Sequence, residues 1–153
     1  MSAFVRGVRL GVDVGRARVG VAACDPDGIL ASPVATLARD RADEPDRAPS
    51  DMVEIGRLAA EYGAIAVVVG LPVTLAGTHG QAADEVGAYA RRLATLLAPI
   101  EVHLSDERMS TVVATRRLAE RGVRGKRRRA VVDQAAAVEI LQGWLDSQRR
   151  RTR

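Results

Sequence analysis

The sequence predicts an α/β fold, a mixed five-stranded sheet with helices on its faces. Three observations carry that expectation. Residues 7–15 and 18–25 are strand-like and joined by the short turn Gly15-Arg16-Ala17-Arg18, which marks an antiparallel hairpin. The continuous apolar run Ala64-Ile-Ala-Val-Val-Val69 has the composition of a strand buried on both faces. Helix-like stretches then alternate with strand-like ones, the order that gives crossovers and parallel pairing.

Taken in order, the hairpin is followed by the turn signal Asp25-Pro26-Asp27-Gly28 and a third strand from Leu30 to Leu37, with Pro33 near its start or on an edge. Arg39 to Ser50 is charged, holds two prolines and reads as a polar loop with freedom to move. Asp51-Met-Val-Glu54 resembles a capping pair opening a helix with the stripe Met52, Ile55, Ala59 and Tyr62, which Gly63 ends. After the apolar run, Thr78-His-Gly-Gln81 resembles a capping box for a helix with Ala82, Val86, Tyr89, Leu93 and Leu96 inward, closed by Pro99. Ile100 to Leu104 alternates as a fifth strand, Ser110 to Arg121 is a weaker helix, and a last helix spans about Val132 to Ser147.

The chain of 153 residues reads as one domain over residues 1–148, with 149–153 a basic, disordered tail. No run is long enough to span a membrane and no signal-peptide pattern opens the chain, so a cytoplasmic protein without a membrane partner is expected. Cys24 is the single cysteine, which excludes an internal disulfide and a multi-cysteine zinc site. A homodimer is one option, and Cys24 could bridge it if exposed.

Net charge is +4, and arginine clusters in the stretch Arg121 to Arg129 and in the tail. Guanidinium groups match phosphate oxygens, so Arg124, Lys126, Arg127, Arg128 and Arg129 are candidates for nucleic-acid contact, expected on a mobile loop. Arg16, Arg18 and Arg108 join them as basic residues beside the candidate acids.

The chemistry centres on Leu10-Gly-Val-Asp13-Val-Gly15. Alternation puts Arg9, Gly11, Asp13 and Gly15 on one strand face, so glycines flank Asp13 and leave room for something to approach. A carboxylate inside a strand is costly to bury alone. Read by itself, Asp13 is either an aspartate ion-paired to Arg16 or Arg18, or part of a site. Asp106 and Glu107 fall at the end of the fifth strand, where α/β sheets place ligand contacts. Asp106 also suits a helix cap, and neighbouring side chains diverge, which leaves Glu107 to face a site. Asp133, in the first turn of the last helix, is either a dipole-stabilising residue or the start of the inward stripe Ala136, Ala137, Ile140, Trp144. Clustered, Asp13, Glu107 and Asp133, with Asp106 a weaker member, would repel one another without a cation. Oxygen-only donors favour Mg²⁺ or Mn²⁺, and such ions activate water for phosphodiester cleavage.

Gly11-Val-Asp13-Val-Gly15 with Val19-Gly20-Val21-Ala22, Val69-Gly70-Leu71-Pro72 with Gly77-Thr78, Asp106-Glu107-Arg108-Met-Ser-Thr111 and Asp133-Gln-Ala-Ala-Ala137-Val-Glu-Ile-Leu141 together resemble the YqgF (RuvX) family, in order over nearly the whole chain. The resemblance implies an RNase H-like fold, kinship with RuvC-type Holliday junction resolvases, and a nuclease role in maturing the 16S ribosomal RNA precursor. It maps the acidic site onto Asp13, Glu107 and Asp133. Thr74 and Ala76 stand where the family loop commonly has Asn and Asp, so the resemblance does not carry a polar, substrate-facing role over to that loop. Competing readings are a resolvase acting on branched DNA and a module that binds nucleic acid without cutting it. An actin-like ATPase also carries Gly-x-Asp-x-Gly, but needs a second domain for which this chain lacks the length.

Overall fold

β1 (Arg9–Val14) and β2 (Arg18–Cys24) form the expected antiparallel hairpin, with Asp13 directly opposite Gly20. The computed structural model of the chain describes residues 4–42, 44–72, 80–106 and 126–151. β3 (Ala31–Ala38) extends β2 antiparallel, while β4 (Ala66–Leu71) and β5 (Glu101–Asp106) add in parallel beside β1, giving the order β3-β2-β1-β4-β5. The mixed five-stranded sheet is therefore present. Pro33 lies on the edge strand, and beside it the register slips: Val21 faces Ala35 while Ala22 faces Pro33. That leaves Val34 as the extra residue of a bulge, a position where the missing N–H of a nearby proline costs little.

Side-chain alternation divides the core in two. Leu10, Val12, Val19, Val21, Val67 and Val69 face α1 (Ser50–Tyr62) and α2 (Gln81–Leu97). Ala22, Cys24 and Val68 face α3 (Lys126–Arg151), which buries Ala136, Ala137, Ile140, Leu141 and Leu145 against them. Val67, Val68 and Val69 are fully buried, as a strand sandwiched between helices requires. Each such side chain contributes about 1.5–3 kcal/mol of transfer free energy.

Several local expectations need correction. Asp51 is not a helix cap: α1 starts one residue earlier, after Pro49, with no side-chain cap. Asp51 is instead 2% exposed, and its carboxylate accepts the Tyr89 hydroxyl at 2.6 Å and the Asp40 N–H at 3.2 Å. Burial, and then that bond, pushes the Tyr89 phenol well above its ordinary range. Tyr62, placed in the inward stripe, is exposed, whereas Gly63 ends α1 in the left-handed conformation as expected. In α2 the cap residue is Gly80, and the inward residues are Ala83 and Leu97 in place of Ala82 and Leu96. The helix expected over Ser110–Arg121 lies outside the described residues.

The stretch after β3 is fastened where freedom was expected. Arg39 donates to the Gly15 carbonyl at 2.9 Å, and Arg92 donates to the carbonyls of Glu44 and Arg47. The N–H groups of Ser50 and Ala42, with Arg47 alongside, hold the Asp40 carboxyl at about 2. Being depressed, that value means the tether is complete above the ordinary aspartate pKa of ~3.9 and lost as pH falls through the folded one. The Ser50 and Ala42 amide shifts should therefore titrate with a midpoint near 2; a midpoint at ~3.9 would show that the carboxylate does not hold this segment.

Candidate functional site

Asp13 sits near the C-terminal end of β1 and is only 3% exposed. Alternation puts it on the Gly11 face, and direct pairing puts it on the same face as Gly20. α3 crosses that face closely. A Cβ on Gly11 would stand 2.6 Å from the Leu141 Cβ and 2.8 Å from the Ala137 carbonyl, and one on Gly20 would collide with the Asp133 carbonyl. The space that the glycines leave is thus taken by the helix itself, a correction to the expectation that it awaits an incoming molecule. At Gly15 the corresponding space holds the Arg18 carbonyl.

The same close approach brings the Asp133 backbone beside the residue opposite Asp13. α3 runs antiparallel to β1, with Asp133 over Gly20 and Leu141 over Gly11. Eight helical residues separate these contacts, about 12 Å along the axis. Asp133 is anchored by a bond from Arg18 Nε to its Oδ2 at 2.6 Å, with both side chains largely shielded from water. Arg18, one of two partners considered for Asp13, thus bonds Asp133. Because α3 starts at Lys126, Asp133 is in its third turn. The dipole and capping role that a helix start near Val132 allowed does not apply, since that effect fades beyond the first turn.

The other candidates divide. Asp106 ends β5 opposite Leu71. Val102 packs into the α1/α2 core, while the His103 ring meets Trp144 of α3 at 5.4 Å between centroids. Asp106, at the end of the strand, borders a hollow that Ile140, Gly143 and Trp144 of α3 also line. Glu107, Arg108 and Arg124 lie outside the described residues. Lys126, Arg127, Arg128 and Arg129 form the first turn of α3, so that part of the expected basic loop is helical. The tail expected to be disordered from 149 is helical through Arg151, and Arg149 donates to the Gly28 carbonyl at 2.7 Å. Arg16 is exposed in the β1–β2 turn.

Among the described residues, no three His, Cys, Asp or Glu side chains gather as a metal site. Asp13 and Asp133 supply two carboxylates on one face. Cys24 is buried under α3, where its Sγ accepts the Arg9 N–H at 3.3 Å, so it is not available to bridge two subunits. Burial pushes its thiol above the ordinary value. Sequence reading also missed the placement of Arg9, whose guanidinium lies 4.4 Å from the Phe4 ring centroid and 5.8 Å from that of Trp144. Its position on the glycine face was the available signal.

A hairpin extended by a third antiparallel strand, two parallel crossover strands and a helix laid over an aspartate in β1 define an RNase H-like protein. The chain belongs to the RuvX family, whose model, described as Holliday junction resolvase, matches residues 7–147. A protein of Rhodococcus erythropolis named "Putative pre-16S rRNA nuclease" is 53% identical over 145 residues, covering 95% of this chain and 81% of its own. One of the same name from Frankia casuarinae is 54% identical over 142 residues, covering 93% and 68%. Among solved structures, T. thermophilus RuvC in complex with Holliday junction substrate aligns with a TM-score of 0.56 over 95% of this chain and 97% of that one. At 16% identity, that likeness speaks for the fold.

Proposed function

We propose that this chain is a metal-dependent endonuclease that hydrolyses phosphodiester bonds in structured RNA, with the 16S ribosomal RNA precursor as its substrate. The observation that carries the reading is the corner where Asp13, Gly20 and Asp133 meet: a buried carboxylate on a strand, and a second brought to its face by a helix that only glycine admits. Family membership and the names of the relatives support the reaction class and the RNA substrate.

The residues present fit a hard divalent cation. Both donors are carboxylates, and two such groups on one low-dielectric face favour a positive ion between them. Asp13, Asp133 and Glu107 would hold Mg²⁺ or Mn²⁺, with Asp106 the weaker candidate. When bound, the metal supplies water activation and charge neutralisation at the scissile phosphate. The protein's own part is positional. Arg18 fixes the Asp133 carboxylate, and the contact at Gly20 fixes the height of α3 over β1. α3 opens with Lys126, Arg127, Arg128 and Arg129, at the helix end whose dipole favours a nucleic-acid phosphate. No helix among the described residues is long and apolar enough to cross a membrane. The cytoplasm, where ribosomal RNA matures, is the compartment this role requires.

The test is cleavage of a 16S precursor RNA fragment and a four-way DNA junction side by side, with Mn²⁺ and with chelator. Metal-dependent cutting of the RNA is expected. Cutting of the junction alone would favour the resolvase reading, and binding of both without cutting would favour a non-catalytic module.

A further inference from the structure

On the far side of the hairpin turn from Asp133, two arginines converge on one carboxylate, with a third close by. Arg39 Nη2 and Arg41 Nη2 both donate to Glu85 Oε1 of α2, at 3.3 and 2.8 Å. Arg41 also donates to the Arg16 carbonyl at 3.4 Å, and Arg16, Arg41, Gln81, Asp84 and Glu85 line an open hollow of about 570 Å³. Arg39 is structural: it is nearly buried, bonds the Gly15 carbonyl and lies 5.4 Å from the Tyr89 ring centroid. Arg41 is different. Half of its side chain is exposed, and its guanidinium has spare donors. Glu85 is held below the usual carboxylate range by the Arg41 bond and then by the Arg39, Arg41 and Arg16 charges.

The location makes this more than a surface ion pair. The Gly15–Ala17 turn is a ridge at the C-terminal edge of β1: Arg18 and Asp133 lie on one flank, Arg16, Arg41 and Glu85 on the other. A polynucleotide engaged at the Asp13 corner that continues over this ridge meets Arg41 next. We infer that Arg41, with Arg16, is a backbone-phosphate site for nucleic acid, and that Glu85 occupies its donors until a phosphate replaces it. A phosphate offers the same oxygen acceptors to the guanidinium with more charge, so the exchange is chemically conservative. Asp84 on the hollow's wall opposes it weakly, which leaves Glu85 as the group in direct competition. The inference rests on the nucleic-acid substrate proposed above.

The experiment measures binding of a fluorescein-labelled RNA hairpin, without divalent metal, over a series of KCl concentrations. Arg41→Ala should weaken binding and lower the salt slope by about 0.7–0.9, the loss of one phosphate contact. Glu85→Gln should tighten binding at every KCl concentration and leave the slope as in the parent, because the same Arg41–phosphate contact forms without a carboxylate to displace. Asp27→Asn is the matched control, because Asp27 pairs with exposed Arg6 at the opposite end of the sheet. It makes the same charge change, frees an arginine, and should leave the affinity alone. Circular dichroism melting confirms that each variant is folded. An unchanged slope in Arg41→Ala, an unchanged affinity in Glu85→Gln, or an Asp27→Asn effect equal to that of Glu85→Gln, would overturn the inference while leaving the nuclease reading intact. A parent chain that binds no nucleic acid would overturn both.

Discussion

Asp13→Asn is expected to abolish metal-dependent cleavage while leaving the protein folded and able to bind nucleic acid. The amide matches the carboxylate in size and keeps one acceptor oxygen, so a side chain buried among β1, β2 and α3 can be replaced without opening a cavity. It removes one of two anionic donors on that face. Losing a group that merely orients a metal ligand costs about 10–100-fold, so losing a ligand should cost more than about 100-fold. Binding carried by arginines outside the corner does not depend on that charge. A variant that cleaves as well as the parent would make Asp13 a structural residue, and one that neither cleaves nor binds would point to misfolding.

Gly20→Ala carries the second large effect, and it acts through the backbone. The added methyl would occupy the position of the Asp133 carbonyl, which is part of a helix and cannot rotate aside as a side chain would. Overpacking of this kind costs about 1–3 kcal/mol and more where backbone must shift, against about 0.4–1 kcal/mol gained from the stiffer unfolded chain. The clash wins. About 3 kcal/mol in a domain of this size lowers the melting temperature by roughly 6–12 °C. Because α3 must lift to relieve the clash, Asp133 moves with it. Cleavage should therefore fall even well below the melting point, with binding less affected. An unchanged melting temperature would mean that α3 does not lie as closely on β2 as described.

Much of this was legible in the sequence, for identifiable reasons. Strand-forming runs and glycine turns have local signals, so the hairpin and the apolar fourth strand could be read directly. Alternation placed Asp13 on the glycine face, and the face of α3 that begins at Asp133 was read from helical spacing. The start of α3 was missed because Lys126-Arg-Arg-Arg129 has no apolar stripe, and a helix begun by basic residues contradicts the usual charge preference at that end. Asp51 was read as a cap because its spacing to Glu54 fits one. Only tertiary structure reveals that Tyr89, thirty-eight residues on, accounts for its burial. The meeting of Arg39 and Arg41 with Glu85 likewise depends on how α2 is laid against the end of β3, which no local pattern encodes.

The central claim is that Asp13 and Asp133 share a divalent cation. Anomalous diffraction at the manganese edge, from crystals soaked in Mn²⁺, addresses it without relying on turnover. A peak is predicted at about 2.0–2.6 Å from carboxylate oxygens of both residues. It should be absent from Asp13→Asn crystals treated identically. Manganese bound elsewhere, with the face between β1 and α3 empty, would contradict the account.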